Sequence, residues 1–242
     1  MKRLFDIVVS LFGLLVSSPV LLPVMFLVWR QDGYSPFYIA PRVGRNERIF
    51  KMVKLRSMIK NADSSGVNST SDADPRITAV GQFIRRYKLD ELTQLWNVLI
   101  GDMSLVGPRP NVKRETDLYS AEEKRLLTVR PGVTDFSSIV FSDEGHILQD
   151  KSDPDIAYNQ LVRPWKSRLG IFYVERRSFV LDLQLILVTA YVIVDRDSAL
   201  LRIQALLRRM NADAALVRVS GRKDELVPHA PPGMTEIVTS RG

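Results

Sequence analysis

The pattern of apolar and polar positions changes sharply near residue 30. Residues Ile7–Trp29 are almost wholly apolar and carry no charge. That run is long enough for a membrane helix, which needs about 20 residues. Ser17-Ser18-Pro19 falls in its middle and Pro23 follows one turn later. A proline inside a helix removes a backbone donor and costs about 3 kcal/mol. Lys2 and Arg3 precede the run; Arg30, Arg42, Arg45, Arg48, Lys51, Lys54 and Arg56 follow it. Positive flanks favour the cytoplasm. The pattern therefore predicts a re-entrant membrane helix over residues 1–32 that enters, breaks at Ser18 and Pro19, and returns. A kinked spanning helix is the alternative. A cleaved signal peptide fits less well, because the apolar run is too long and no A-x-A-like site follows.

The rest of the chain alternates shorter elements. Phe37–Arg42 and Arg48–Arg56 flank the turn Gly44-Arg45-Asn46 and read as a β-hairpin, with Met52, Lys54 and Arg56 on one face. Residues 61–74 are rich in Ser, Asp and Asn and read as a loop. Leu92, Leu95, Trp96 and Leu99 stand at helical spacing and predict a buried stripe, with Asp90, Gln94 and Asn97 on the opposite side. Ala121–Val129 reads as a helix stopped by Arg130-Pro131-Gly132. Phe172–Val194 is a core or interfacial helix rather than a second span, since Asp182 and Gln184 lie inside it. Ala199–Met210 is amphipathic, and its arginines suit a membrane surface or a solvated face equally. From Asn211 onward the chain reads as a loose tail. The expected fold is α+β, mainly helical, with a re-entrant membrane helix, one small hairpin and interfacial amphipathic helices. Its expected division is residues 1–32, a catalytic domain at the membrane interface over 33–197, and a helix and tail over 198–242.

Composition narrows the chemistry. With 34 Lys and Arg against 27 Asp and Glu, the 242-residue chain has a formal net charge of +7. Such a balance suits an anionic lipid surface, a phosphorylated substrate or nucleic acid. No nucleic-acid module is recognisable. There is no cysteine and there are two histidines, His146 and His229. A thiolate or His-rich zinc site is therefore excluded, and any metal should be a hard cation held by carboxylates and phosphates.

The richest block runs from Gly81 to Pro110. Asp90 and Glu91 stand at the start of the expected helix, where amide donors favour negative charge. Arg85 and Arg86 precede them by about one turn and can meet a diphosphate. Pro108-Arg109-Pro110 form a rigid turn. Charge and spacing alone are equally compatible with simple helix caps and solvated arginines.

The motifs, taken together, resemble those of the small monotopic phosphoglycosyl transferases, within the bacterial sugar transferase family. Lys2-Arg3-Leu4-Phe5-Asp6 and the apolar run with Ser18-Pro19 resemble the family's opening. Lys54-Leu55-Arg56-Ser57-Met58 resembles K-F-R-S/T-M, and Asp74-Pro75-Arg76-Ile77-Thr78 matches D-x-R-I-T. Leu89-Asp90-Glu91-Leu92 with Gln94-Leu95 and Asn97-Val98-Leu99 matches L-D-E-L-P-Q-L-x-N-V-L, and Gly101–Pro110 matches G-D-M-S-L-V-G-P-R-P. Arg130-Pro131-Gly132-Val133-Thr134, Tyr173-Val174-Glu175 and Leu181-Asp182-Leu183 continue the series, so the likeness covers roughly residues 2–195.

The resemblance implies an enzyme of the inner membrane with its site on the cytoplasmic face. Asp90 would attack a UDP-sugar, releasing UMP, and the phosphosugar-aspartyl enzyme would pass its load to undecaprenyl phosphate. Glu91 would handle Mg²⁺. Arg85, Arg86, Pro108, Arg109, Pro110, Lys54 and Arg56 would bind substrate. Direct transfer without a covalent intermediate, and a non-catalytic protein binding anionic membrane lipids, are the alternatives.

Three departures stand out. Thr93 replaces a usual proline, Lys88 replaces a small residue, and Asp135-Phe136-Ser137-Ser138-Ile139 stands where many relatives carry G-W/Y-A-Q-V. The sequence leaves open the sugar, the pathway and whether the protein is a homodimer.

Overall fold

The computed structural model describes residues 1–62, 74–149 and 151–240. The loop expected at residues 61–74 lies mostly outside these. Helix α1 (Lys2–Asp32) runs through both Pro19 and Pro23 without interruption. The expected break at Ser18 and Pro19 is thus corrected, and the serines show why. Pro19 cannot donate to the carbonyl four residues back, that of Leu15. Ser18 Oγ donates to that same carbonyl at 2.7 Å, and Ser17 Oγ donates to Gly13 O at 2.6 Å.

One face of α1 packs against the body along its length, burying Asp6, Ser10, Leu21, Val24 and Val28. The other exposes Leu11, Phe12, Leu15, Val16, Leu22 and Phe26. Both ends are fastened. Lys2 Nζ donates to Asp182 at 2.6 Å and to Val106 O at 3.1 Å, and Asp6 accepts from Ser104 Oγ at 2.9 Å. At the far end Asp32 receives the guanidinium of Arg56, with one contact at 2.7 Å. Among the described residues α1 is the only helix long and apolar enough to cross a membrane.

The expected hairpin is present. Strands β1 (Phe37–Val43) and β2 (Ile49–Leu55) pair antiparallel with Ala40 opposite Met52. Helix α2 (Ala79–Arg86) is capped by Thr78, whose hydroxyl accepts from Gly81 N at 2.9 Å. The single helix expected across Asp90–Leu99 is instead two, α3 (Leu89–Leu92) and α4 (Leu95–Ile100). The expected stripe is corrected with it. Trp96 is half exposed, whereas Gln94 and Asn97 are buried beside Leu95 and Val98. Asn97 earns its place by binding β2: its amide donates to Lys51 O at 2.7 Å and its oxygen accepts from Val53 N at 2.9 Å.

A second sheet, not foreseen, pairs β3 (Ser104–Val106) with β4 (Gly132–Thr134) in parallel. Gly107 and Gly132 lie backbone to backbone: a Cβ on Gly132 would stand 2.1 Å from Gly107 N. Between these strands lie the short helix α5 (Lys113–Thr116) and a 3₁₀ stretch, Glu123–Thr128, within the helix expected at Ala121–Val129. The short helices α6 (Phe136–Val140), α7 (Glu144–Ile147) and α8 (Pro154–Ala157) follow, then a π-helical turn at Tyr158–Val162.

The long helices complete the core. The apolar stretch Phe172–Val194 is divided between α9 (Arg163–Arg176) and α10 (Phe179–Val192), because Ser178 caps α10 by accepting from Leu181 N. Helix α11 (Arg196–Arg209) buries Ala199, Leu200, Ile203 and Leu207 in the main core. Its apolar stripe is therefore engaged by protein and is not free to lie on a membrane. The expected loose tail is corrected too. It forms α12 (Ala214–Ser220), and the chain beyond folds back, with His229 N donating to Gln160 O and Gln160 Nε2 to Val238 O.

Candidate active site

Strand β2, helix α3 and the turn after β3 converge on one cavity of about 810 Å³, a volume typical of small-molecule sites. Asn97 ties α4 to β2, and Thr93 Oγ1 donates to Val53 O at 3.2 Å and to Asp90 O at 3.0 Å. The residue standing in place of a proline thus holds the Asp90 turn against the strand that carries Lys54.

Across that junction Lys54 Nζ lies 3.4 Å from Asp90 Oδ2. Burial pushes the Lys54 ammonium below the usual lysine value, and the Asp90 carboxylate opposes this only in part. Beside it Arg109 donates to Glu91 Oε1 at 2.9 Å and to Val133 O at 3.3 Å. Burial raises the Glu91 carboxyl, but the charges of Arg109, Lys88 and Lys54 outweigh it and hold it below its ordinary value. Glu91 in turn keeps Arg109 firmly cationic. The carboxylates of Asp90 and Glu91 therefore face one cavity, each steadied by a different cation.

The other expected residues divide. Arg85 lines the cavity and donates to Ser57 Oγ at 3.0 Å, while Pro108 and Pro110 flank Arg109 in its wall. Arg56 also borders the cavity, but its guanidinium is committed to Asp32 and to Ser35 O at 2.9 Å. It fastens the end of α1. Arg86 is not brought to the cavity; it is exposed and rests over the Tyr87 ring.

Several lining residues were not assigned to the site from the sequence, though Lys88 and Asp135 stood out as departures. Lys88 borders the cavity with φ 52°, a left-handed conformation that strains a side chain bearing a Cβ. The departure at Asp135 is structural: its carboxylate caps α6, accepting from Ser138 N at 2.8 Å and from the Ser137 and Ser138 hydroxyls. Glu115, Tyr119, Glu144, Tyr158 and Lys166 build a further wall. Glu115 lies five residues beyond the Pro108-Arg109-Pro110 turn, which was the only available signal for it.

The chain is 35% identical over 214 residues to an undecaprenyl-phosphate galactose phosphotransferase of Salmonella typhimurium, covering 82% of this chain and 41% of that protein. It is 34% identical over 189 residues to the uncharacterized sugar transferase EpsL of Bacillus subtilis, covering 78% and 85%. It is 40% identical over 148 residues to the exopolysaccharide production protein ExoY of Sinorhizobium fredii, covering 55% and 66%. The chain spans about four-tenths of the length of the Salmonella relative. The bacterial sugar transferase family model matches residues 1–196, taking in every residue of the cavity just described, and the chain belongs to that family of transferases.

Proposed function

We propose that this chain transfers a sugar-1-phosphate from a UDP-sugar to undecaprenyl phosphate. The observation that carries the reading is the pair of adjacent carboxylates, Asp90 and Glu91, opening on a cavity whose lining includes Lys54, Lys88, Arg85 and Arg109. An acid pair set among such cations suits a diphosphate that is attacked rather than merely held. The printed names of relatives supply the acceptor.

In the first step an Asp90 carboxylate oxygen bonds to the sugar-bearing phosphorus. The bond from that phosphorus to the bridging oxygen breaks, and UMP leaves with the electron pair. In the second, a phosphate oxygen of undecaprenyl phosphate attacks the same phosphorus and the Asp90 carboxylate is released. Lys54 and Arg109 steady the charge that develops on the phosphoryl oxygens.

The donor set fits Mg²⁺ bound together with substrate. A hard cation of this kind takes one or two carboxylates plus phosphate oxygens, and Asp90 and Glu91 supply the former. Among the described residues no three acidic or histidine side chains form a cage. Glu91, with Asp90 beside it, would hold the ion, whose charge would neutralise the diphosphate.

The exposed apolar face of α1 supports a site at a lipid surface, where a polyprenyl phosphate would lie. Both ends of α1 are fastened to one body, through Lys2 to Asp182 and through Asp32 to Arg56. A helix so tied favours both ends on one side, the cytoplasmic face of the inner membrane, over a full span. Release of UMP from a panel of UDP-sugars, with intact-mass analysis in the absence of lipid, tests the chemistry. The protein should gain one phosphosugar, and Asp90→Asn should gain none. Turnover by Asp90→Asn, or turnover without a covalent adduct, would refute it in favour of direct transfer.

A further inference from the structure

The cavity has two sectors that differ in their side chains. Lys54, the nearest cation to Asp90, is influenced by Asp90, Arg109, Glu91 and Arg42. Glu115, on the far wall, is influenced by Glu144, Lys166, Arg42 and Arg163. Arg42 is the one charged group common to both sets. The first sector is cationic and suits phosphate. The second sets two carboxyl groups, Glu115 and Glu144, and two phenols, Tyr119 and Tyr158, beside Lys166 and Arg163.

The second sector is underused by the protein itself. Tyr119 accepts from Asn111 Nδ2 at 2.7 Å, and Glu144 is paired with Lys166. Among the described residues, however, neither the Glu115 carboxyl nor the Tyr158 hydroxyl forms a hydrogen bond or ion pair with another side chain or the backbone, although Tyr158 is more than nine-tenths buried. Buried polar groups are ordinarily satisfied, and one left open onto a cavity needs a ligand or water as partner. Burial pushes both groups up, and the neighbouring Glu144 raises Glu115 further.

The partner's chemistry follows. A wall of carboxyls and phenols matches a ring bearing several hydroxyls. It suits uracil less well, because that ring offers the two carboxyl groups a single N–H. The sugar is also the portion that stays on the enzyme after UMP has gone. Resting on the donor assignment above, we infer that Glu115 and Tyr158, with Glu144 and Lys166 behind them, form the subsite that binds the hydroxyls of the donor's sugar and sets which sugar is accepted.

The test compares Glu115→Gln and Tyr158→Phe with the unaltered protein in detergent or lipid nanodiscs. The kcat/KM is measured across a panel of UDP-sugars, with UMP as product inhibitor and melting temperature as the folding control. Loss of a hydrogen bond to a sugar hydroxyl should lower kcat/KM for the preferred donor by about 10- to 100-fold and reorder the panel. Inhibition by UMP should change by less than about twofold, since UMP lacks the sugar. Unchanged panels in both variants would overturn the inference while leaving the transferase reading intact. A parallel loss of UMP inhibition would also overturn it, because the wall would then hold ribose. Should Glu115→Gln fail to fold, Tyr158→Phe decides alone, since it removes only a hydroxyl. If the unaltered protein neither turns over nor is thermally stabilised by any UDP-sugar, the donor assignment falls and the subsite with it.

Discussion

Lys54 stands 3.4 Å from Asp90 and is the cation closest to the proposed nucleophile. Replacing it with methionine keeps most of the side chain's volume and removes one charge. At that separation two unit charges interact by about 5 kcal/mol at an effective dielectric of 20. The side chains retain 23% and 17% of their surface exposed, so screening reduces this, leaving about 3 kcal/mol or roughly a hundredfold in rate. Lys54→Met should therefore lower kcat for UMP release about a hundredfold, comparable to the loss of one transition-state donor. The pH profile supplies an independent sign. Burial holds the Lys54 ammonium below its ordinary value, so activity that needs the cation should fall as pH rises through that lowered value. Lys54→Arg should carry the alkaline limb upward and Lys54→Met should abolish it. Stability runs the other way. Below its folded value the ammonium is buried at a cost, because the unfolded chain holds the same proton more tightly. Stability from this group rises with pH between the folded value and the ordinary one near 10.4, and Lys54→Met should melt no lower than the parent at neutral pH. Activity within about threefold of the parent, far from the hundredfold expected, or an alkaline limb that Lys54→Arg fails to move, would refute the reasoning.

Lys88 carries left-handed strain at φ 52°. Lys88→Gly should raise stability by up to about 1 kcal/mol, or 2–4 °C in Tm, while reducing turnover through loss of a cavity cation; a lower Tm would count against strain. Arg85→Ala should weaken use of the UDP-sugar, whereas Arg86→Ala should leave kcat/KM unchanged, since the structure separates these neighbours; equal losses would contradict the geometry. Glu123 accepts from Arg163 at 2.6 Å and from Ser167 at 2.7 Å, with both charges buried. Glu123→Gln should lower Tm by roughly 6–20 °C by stranding a buried cation, and the double change Glu123→Leu/Arg163→Met should recover most of it; a double variant less stable than the single would disprove the account.

The Asp90–Glu91 pair of the candidate site was legible because Leu89-Asp90-Glu91-Leu92 and Pro108-Arg109-Pro110 are short, ordered motifs, and their proximity needs only that α3 meet the turn after β3. The hairpin was legible from alternation around Gly44. Periodicity failed where a polar side chain substitutes for an apolar contact: Asn97 fills the position that spacing assigned to Trp96, because it satisfies the open backbone of β2. It failed again at Pro19, where a hydroxyl one residue earlier repaired the very carbonyl the proline orphans. The β3–β4 pairing joins segments 28 residues apart and could not be seen locally. Arg56 and Arg85 look alike in sequence; only Asp32, brought in by the end of α1, tells them apart. The wall of Glu115 and Tyr158 joins two distant segments without a shared motif.

The contact between Gly107 and Gly132 has an engineering consequence. A methyl on Gly132 would fall 2.1 Å from Gly107 N, and one on Gly107 would fall 2.5 Å from Arg130 O. Two main chains touch there with nothing between them, so no flexible side chain exists to give way. Arg109, two residues along, therefore hangs from a fulcrum that ordinary repacking of the interior cannot shift. The opposing jaw is different: Glu115, Glu144 and Tyr158 sit on short helices and turns whose side chains can be exchanged singly. On the proposed assignment, a laboratory wishing to redirect the protein to another sugar should randomise that jaw and leave the fulcrum alone, because the proposed phosphate grip and the proposed sugar wall are mechanically separable.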